Sequence, residues 1–65
     1  MTIKDIEERI LAIKTDRGDD ESQHHAEDDL YEDVLQAIAD GASNASELAK
    51  ATLATKVIDF ARWCA

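Results

Sequence analysis

Cys64 is the only cysteine in a chain of 65 residues, so no internal disulfide can brace the fold. Stability must come from buried apolar side chains, and a chain this short buries only roughly 60% of the surface its unfolded form exposes. At this size the gain from burial and the cost of ordering the backbone nearly cancel. Small proteins close the gap with cross-links, a metal or a partner. With cross-links excluded, the chain is expected to form a homo-oligomer or to live in an obligate complex. A lone cysteine fits a reducing compartment. No signal peptide is evident and no apolar run is long enough to span a bilayer, so the chain is read as cytoplasmic and away from membrane.

The apolar residues repeat at helical spacing, and no segment alternates as a strand would. The pattern predicts one all-α domain, a compact bundle of three longer helices and a short C-terminal fourth, at 2–14, 21–40, 44–54 and 56–64. Ile3, Ile6, Ile10 and Ile13 follow a 3-4-3 spacing that places them on one narrow stripe. Thr2 reads as the N-cap of this helix, with Asp5 at the third helical position. Asp5 and Arg9 are four apart, as are Lys4 and Glu8, which predicts ion pairs on the outer face.

Gly18 is the hinge of a polar turn, and Gly41 is the left-handed stop of the second helix. The C-terminal half of that helix presents a broad apolar face of Leu30, Tyr31, Val34, Leu35, Ala37 and Ile38. Its first turns, Gln23 to Asp29, offer only Ala26, so they are expected to project into water or to be weakly helical. Asn44-Ala45-Ser46-Glu47 reads as a capping box opening the third helix, whose face is Leu48, Ala49, Thr52 and Leu53. Thr55 is the expected cap of the fourth helix, with Val57, Phe60, Ala61 and Cys64 on one face and Ile58 and Trp63 widening it.

Charge divides the chain sharply. Residues 1–33 hold twelve acids against Lys4, Arg9, Lys14 and Arg17, a net −8 that equals the charge of the whole chain. Residues 34–65 are neutral, with Asp40, Glu47 and Asp59 against Lys50, Lys56 and Arg62. An acidic half repels nucleic acid and anionic membrane and favours a basic protein surface. The plainer reading is that the charge keeps a small apolar-rich protein in solution. The residues singled out for partner binding are Asp19, Asp20, Glu21, Glu27, Asp28 and Glu32. Arg62 and Trp63 join them as residue types enriched in binding hot spots. Against that stands the reading that Phe60 and Trp63 close the core.

The densest polar cluster, Asp19 to Asp29, contains His24 and His25. Glu21/His25, His24/Asp28 and His25/Asp29 are each four apart, a spacing that can chelate a metal on one side of a helix. A tight site takes three or four ligands from separate elements, and no remote cluster supplies them. The run also fails the calcium-loop pattern. The plain reading is a solvated acidic helix end with one histidine resting on the core. No metal and no cofactor is assigned, and a metal-binding module at His24 and His25 stays as an alternative. Ser22, Ser43 and Ser46 lack a glycine elbow, and Cys64 lies far from the histidines in sequence, so the chain is not expected to be an enzyme.

A second alternative is a helix-turn-helix DNA-binding regulator over residues 34–63, with Ala49 where such motifs take a small residue. Leu53 then falls where glycine is usual, and Asp59 where the second helix buries an aliphatic. Lys56 and Arg62 alone are thin cover for phosphates, so nucleic acid is the less favoured partner.

Three stretches carry a resemblance. They are Asp5-Ile6-x-x-Arg9-Ile10; His25-Ala26-Glu27-Asp28-x-Leu30-Tyr31-x-x-Val34-Leu35-x-Ala37-Ile38-Ala39-x-Gly41; and Ile58-Asp59-Phe60-Ala61-Arg62-Trp63-Cys64-Ala65. In these the chain resembles small acidic helical proteins of bacteriophages and prophages. The resemblance implies an accessory factor acting on a host or phage protein, and it assigns no functional residue. The expectation is a non-catalytic interaction protein that docks its acidic N-terminal half on a basic protein. Mimicry of nucleic acid is its sharpest form, since helix-mounted carboxylates can imitate a row of phosphates.

Overall fold

The computed structural model describes residues 1–16, 18–58 and 60. Three helices follow in order: α1 (Ile3–Thr15), α2 (Asp20–Ala39) and α3 (Ala45–Leu53), the last running straight into a 3₁₀ turn, Ala54–Val57. No strand occurs among the described residues. Each helix packs against the other two. At about 1.5 Å per residue the 20-residue α2 is about 30 Å long, most of the 36 Å long axis of the molecule.

The start of α1 follows its sequence. Thr2 is extended, its hydroxyl accepts from the Asp5 N–H at 3.2 Å, and Asp5 Oδ2 accepts from the Thr2 N–H at 2.8 Å, a reciprocal capping box. The isoleucine stripe then turns inward, with Ile6, Ile10 and Ile13 buried and Ile3 partly so. Asp5 is committed to the cap, so Arg9 does not pair with it. Its guanidinium instead meets Asp33 of α2 at 2.6 Å, an inter-helix bridge where an intra-helix one was expected. The expected Lys4–Glu8 contact is not formed either.

The stop of α2 also follows its sequence. Gly41 takes φ +95°, its N–H bonds the Ile38 carbonyl at 3.0 Å, and the Ala42 N–H bonds the Ala37 carbonyl at 3.1 Å. This pair of bonds is a Schellman motif, with Ala37 and Ala42 both packed on the core as such caps favour.

Three expectations are corrected. The first turns of α2 are neither detached nor weakly helical. Asp19 caps them through the Ser22 N–H at 3.0 Å, and Gln23, His24 and Glu27 are buried. Gln23 Nε2 donates to the Ile13 carbonyl at 2.8 Å, so a polar side chain of α2 satisfies the C-terminal end of α1. Asn44 makes no side-chain cap. With φ −102° and ψ 30° it lies outside the extended region a capping side chain needs, although its carbonyl starts the helix by accepting the Leu48 N–H at 3.0 Å.

The third correction concerns the fourth helix. No separate helix begins at Lys56, because α3 tightens into 3₁₀ geometry and the chain turns extended at Ile58, with ψ 126°. Thr55, Val57 and Ile58 are β-branched, which costs helix propensity just where the helix fades. Thr55 is therefore no cap. It is fully buried, with its hydroxyl 2.6 Å from the Tyr31 hydroxyl. Val57, expected on the inner face, is 82% exposed, while Ile58 and Phe60 are buried. The remainder of the expected fourth helix, 59 and 61–64, lies outside the described residues.

The core is Ile6, Ile10, Ile13, Leu30, Val34, Leu48, Ile58 and Phe60. No buried side-chain nitrogen or oxygen among the described residues lacks a hydrogen-bond partner.

Candidate functional site

Helix α2 divides the acidic run between two environments. Gln23, Glu27, Leu30 and Val34 are buried and spaced 4-3-4, so they form one inward row. Glu21, Asp28 and Glu32, spaced 7 and 4, are exposed on the opposite side with His25 between them. This outer ridge rises about 16 Å from Glu21 to Glu32. Asp19 and Asp20 lie off its line at the N-terminal end of the helix, where carboxylates meet the positive end of the helix dipole and Asp19 accepts from the Ser22 N–H.

Glu27 departs from its group. It is 4% exposed, it has a polar partner, and it belongs to the interior rather than to the ridge. Three of the six acidic residues singled out from the sequence, Glu21, Asp28 and Glu32, thus share a face; Asp19 and Asp20 lie at the start of the helix off that face, and Glu27 is interior. Arg62 and Trp63 lie outside the described residues.

Neutralisation of the ridge is slight. Among the described residues the one lysine or arginine bridge to a carboxylate is Arg9–Asp33, which lies beside the ridge rather than on it. His25 Nε2 stands 3.5 Å from Asp29 and His24 Nε2 stands 3.5 Å from Asp28. The two histidines are consecutive and point apart. His24 rests on the core with its ring centroid 6.5 Å from that of Phe60, whereas the His25 side chain is 79% exposed. They cannot converge on one ion, and no group of three or more metal-ligating side chains exists among the described residues. Among the described residues the alternative of a metal module at His24 and His25 therefore has no preformed site. The helix-turn-helix alternative lacks the start of its second helix, since 54–57 continue α3.

The structure also brings together residues read from the sequence as the apolar faces of the second and third helices. Leu35 is 66% exposed and Leu53 57% exposed. With Tyr31, Val34, Ile38 and Ala49 they line a groove of about 260 Å³ between α2 and α3. The signal was present as an apolar face on α2 wider than one small core can cover.

No helix among the described residues is long and apolar enough to cross a membrane. Compared with protein-family models, with curated proteins and with solved structures, the chain finds no match.

Proposed function

We propose that this chain is a non-catalytic interaction protein that docks the acidic ridge of α2 on a basic protein surface, as an accessory factor of a phage or prophage acting on a host or phage protein. The observation that carries the reading is the ridge itself. Glu21, Asp28 and Glu32 all face solvent, and none is bridged by a lysine or arginine among the described residues. Carboxylates held on a well-packed helix form a fixed field, and such a field speeds encounter with an opposite charge. The position of Glu27 sharpens the reading, because the ridge keeps its charges outward while the polar groups beneath it hold the helix in place.

The test is kinetic. Once a partner has been captured from a native lysate and purified, association is followed against salt. The expected result is an association rate that falls about tenfold or more between low and high ionic strength. Asp28→Lys with Glu32→Lys should reproduce that loss, and Lys50→Glu should matter much less. Binding that ignores salt, tolerates the double reversal and is lost on Trp63→Ala would move the interface to the C-terminus and overturn the proposal.

A further inference from the structure

From the groove between α2 and α3 we infer a second determinant of the same interface: a docking slot for one amphipathic helix of the partner, apolar on the face it inserts and basic along the flank beside α2. The inference rests on the proposed acidic docking ridge and adds the shape of what docks there.

The groove presents only hydrocarbon. Two of its lining residues, Tyr31 and Thr52, carry hydroxyls, and both are engaged elsewhere. The Tyr31 hydroxyl meets Thr55 at 2.6 Å, and the Thr52 hydroxyl donates to the Leu48 carbonyl at 2.7 Å. Its length matches a helix. Tyr31 to Ile38 spans seven residues, about 10 Å or two turns, so an occupant would contact it with apolar residues at i, i+3 or i+4, and i+7. A metabolite fits poorly, since small-molecule pockets are typically about 300–1,000 Å³ and enclose most of the ligand. This groove has about 260 Å³ and is open along one side.

Charge identifies the occupant. The bank on α2 is the acidic ridge, for Asp28 lies one heptad before Leu35 and Glu32 one turn before it. The bank on α3 carries Ser46 and Lys50, both exposed. A bound helix therefore meets carboxylates on one flank only, and its lysines or arginines belong on that side. A second copy of this chain is disfavoured by the same feature, because its own α2 would bring a like-charged ridge against this one, within a total charge of −8 per chain.

The test uses the full chain and three synthetic peptides. One is an amphipathic helix with leucines at i, i+4 and i+7 and lysines along one flank. A second has the same composition scrambled, and the third has the same leucines with glutamine replacing lysine. Binding is measured by fluorescence anisotropy and mapped by amide chemical shifts. The expected result is that the basic amphipathic peptide binds at least tenfold tighter than either control, with shifts gathered at Tyr31, Leu35 and Leu53. Leu53→Asp and Leu35→Asp, each at an exposed position, should weaken it at least tenfold while leaving the melting temperature close to that of the parent.

If the scrambled basic peptide binds equally well, with shifts confined to Glu21, Asp28 and Glu32, the slot is refuted while the acidic ridge stands. If the glutamine peptide binds as tightly as the basic one, the charged flank is refuted, and if no peptide binds, the slot is refuted; the ridge reading is judged separately by the salt dependence of the captured partner. If the groove resonances shift with protein concentration alone and sedimentation shows a dimer, the occupant is a second copy and the inference is wrong.

Discussion

Gln23 carries the least expected contact in the molecule, and replacing it should reveal how α1 and α2 are joined. The residue is 4% exposed, and its Nε2 donates to the Ile13 carbonyl at 2.8 Å. That carbonyl lies in the last turn of α1, where four carbonyls lack an intrahelical partner. The Asp16 N–H reaches the same oxygen at 3.3 Å, so removing the amide weakens the capping without abolishing it. Gln23→Met keeps the volume and removes the donor, a loss of about 1 kcal/mol. Gln23→Ala adds a cavity, and about 2 kcal/mol is expected. In a domain of this size each kcal/mol lowers the melting temperature by roughly 4–8 °C, so both changes are readily measured.

Gln23→Glu is the decisive variant, since it sets a carboxylate against a carbonyl where both groups accept. Burial and the facing carbonyl favour the neutral acid, which raises the folded-state pKa of the introduced glutamate above its unfolded value. A group raised in this way contributes fully below the unfolded pKa, and its contribution is lost as pH rises through the folded one. The Glu variant should therefore approach the parent in acid, where its protonated carboxyl can donate to Ile13. Near neutrality it should fall below the Met variant. Thermal and urea unfolding of the four proteins, followed by circular dichroism from about pH 4 to about pH 8, provide the comparison. A Glu variant that matches the Met variant at neutral pH, or whose deficit against the parent does not change with pH, would refute the capping role.

Two further outcomes follow from the helix ends. The Asp5 carboxyl is held below the usual carboxylate range, first by the Thr2 N–H and then by the Thr2 hydroxyl. Its contribution is therefore present above the unfolded pKa and lost as pH falls through the depressed folded value. Asp5→Asn should melt below the parent at neutral pH and converge with it in acid, and a gap that persists into acid would count against the capping box. Gly41 sits at φ +95°, with nothing within 4 Å of an added Cβ, so Gly41→Ala should cost about 1 kcal/mol from backbone strain alone and Gly41→Asn less. Equal stability of the parent and Gly41→Ala in urea would refute that.

The helix ends that could be read from sequence are those where one residue type meets one local geometry. Thr2 with Asp5, and Gly41 followed by an apolar Ala42, each settle their own hydrogen bonds within a few residues. Asn44 carries the same kind of signal and fails, because the short turn after Gly41 leaves its backbone outside the extended region. The boundary between α3 and the expected fourth helix failed for a related reason. Thr55 resembles a cap on paper, but the Tyr31 hydroxyl, 24 residues earlier, binds its side chain and draws it inside. Local pattern cannot announce a partner that distant in sequence. The burial of Gln23 was hidden in the same way, since a polar residue reads as solvated until the carbonyl it serves is brought against it.

The ridge was legible as composition and only partly as geometry. A run of carboxylates at 19–33 gives the charge, and helical spacing then separates Glu21, Asp28 and Glu32 from Glu27 once the inward direction is known. Leu30 and Val34 supply that direction, for both are fully apolar and four apart, and Glu27 completes their row. What periodicity alone could not divide was the apolar face itself. Val34 and Leu35 are neighbours on it, yet Val34 is 3% exposed and Leu35 66%. Helices α1 and α3 cover one edge of the face and leave the other open. A bundle of three helices in which one is twice the length of another has too little partner surface to bury the whole stripe. The uncovered edge borders the acidic ridge, so the outer surface of α2 offers charge and an apolar slot side by side. For the partner proposed above, charge would set the rate of arrival and the apolar contact the length of stay.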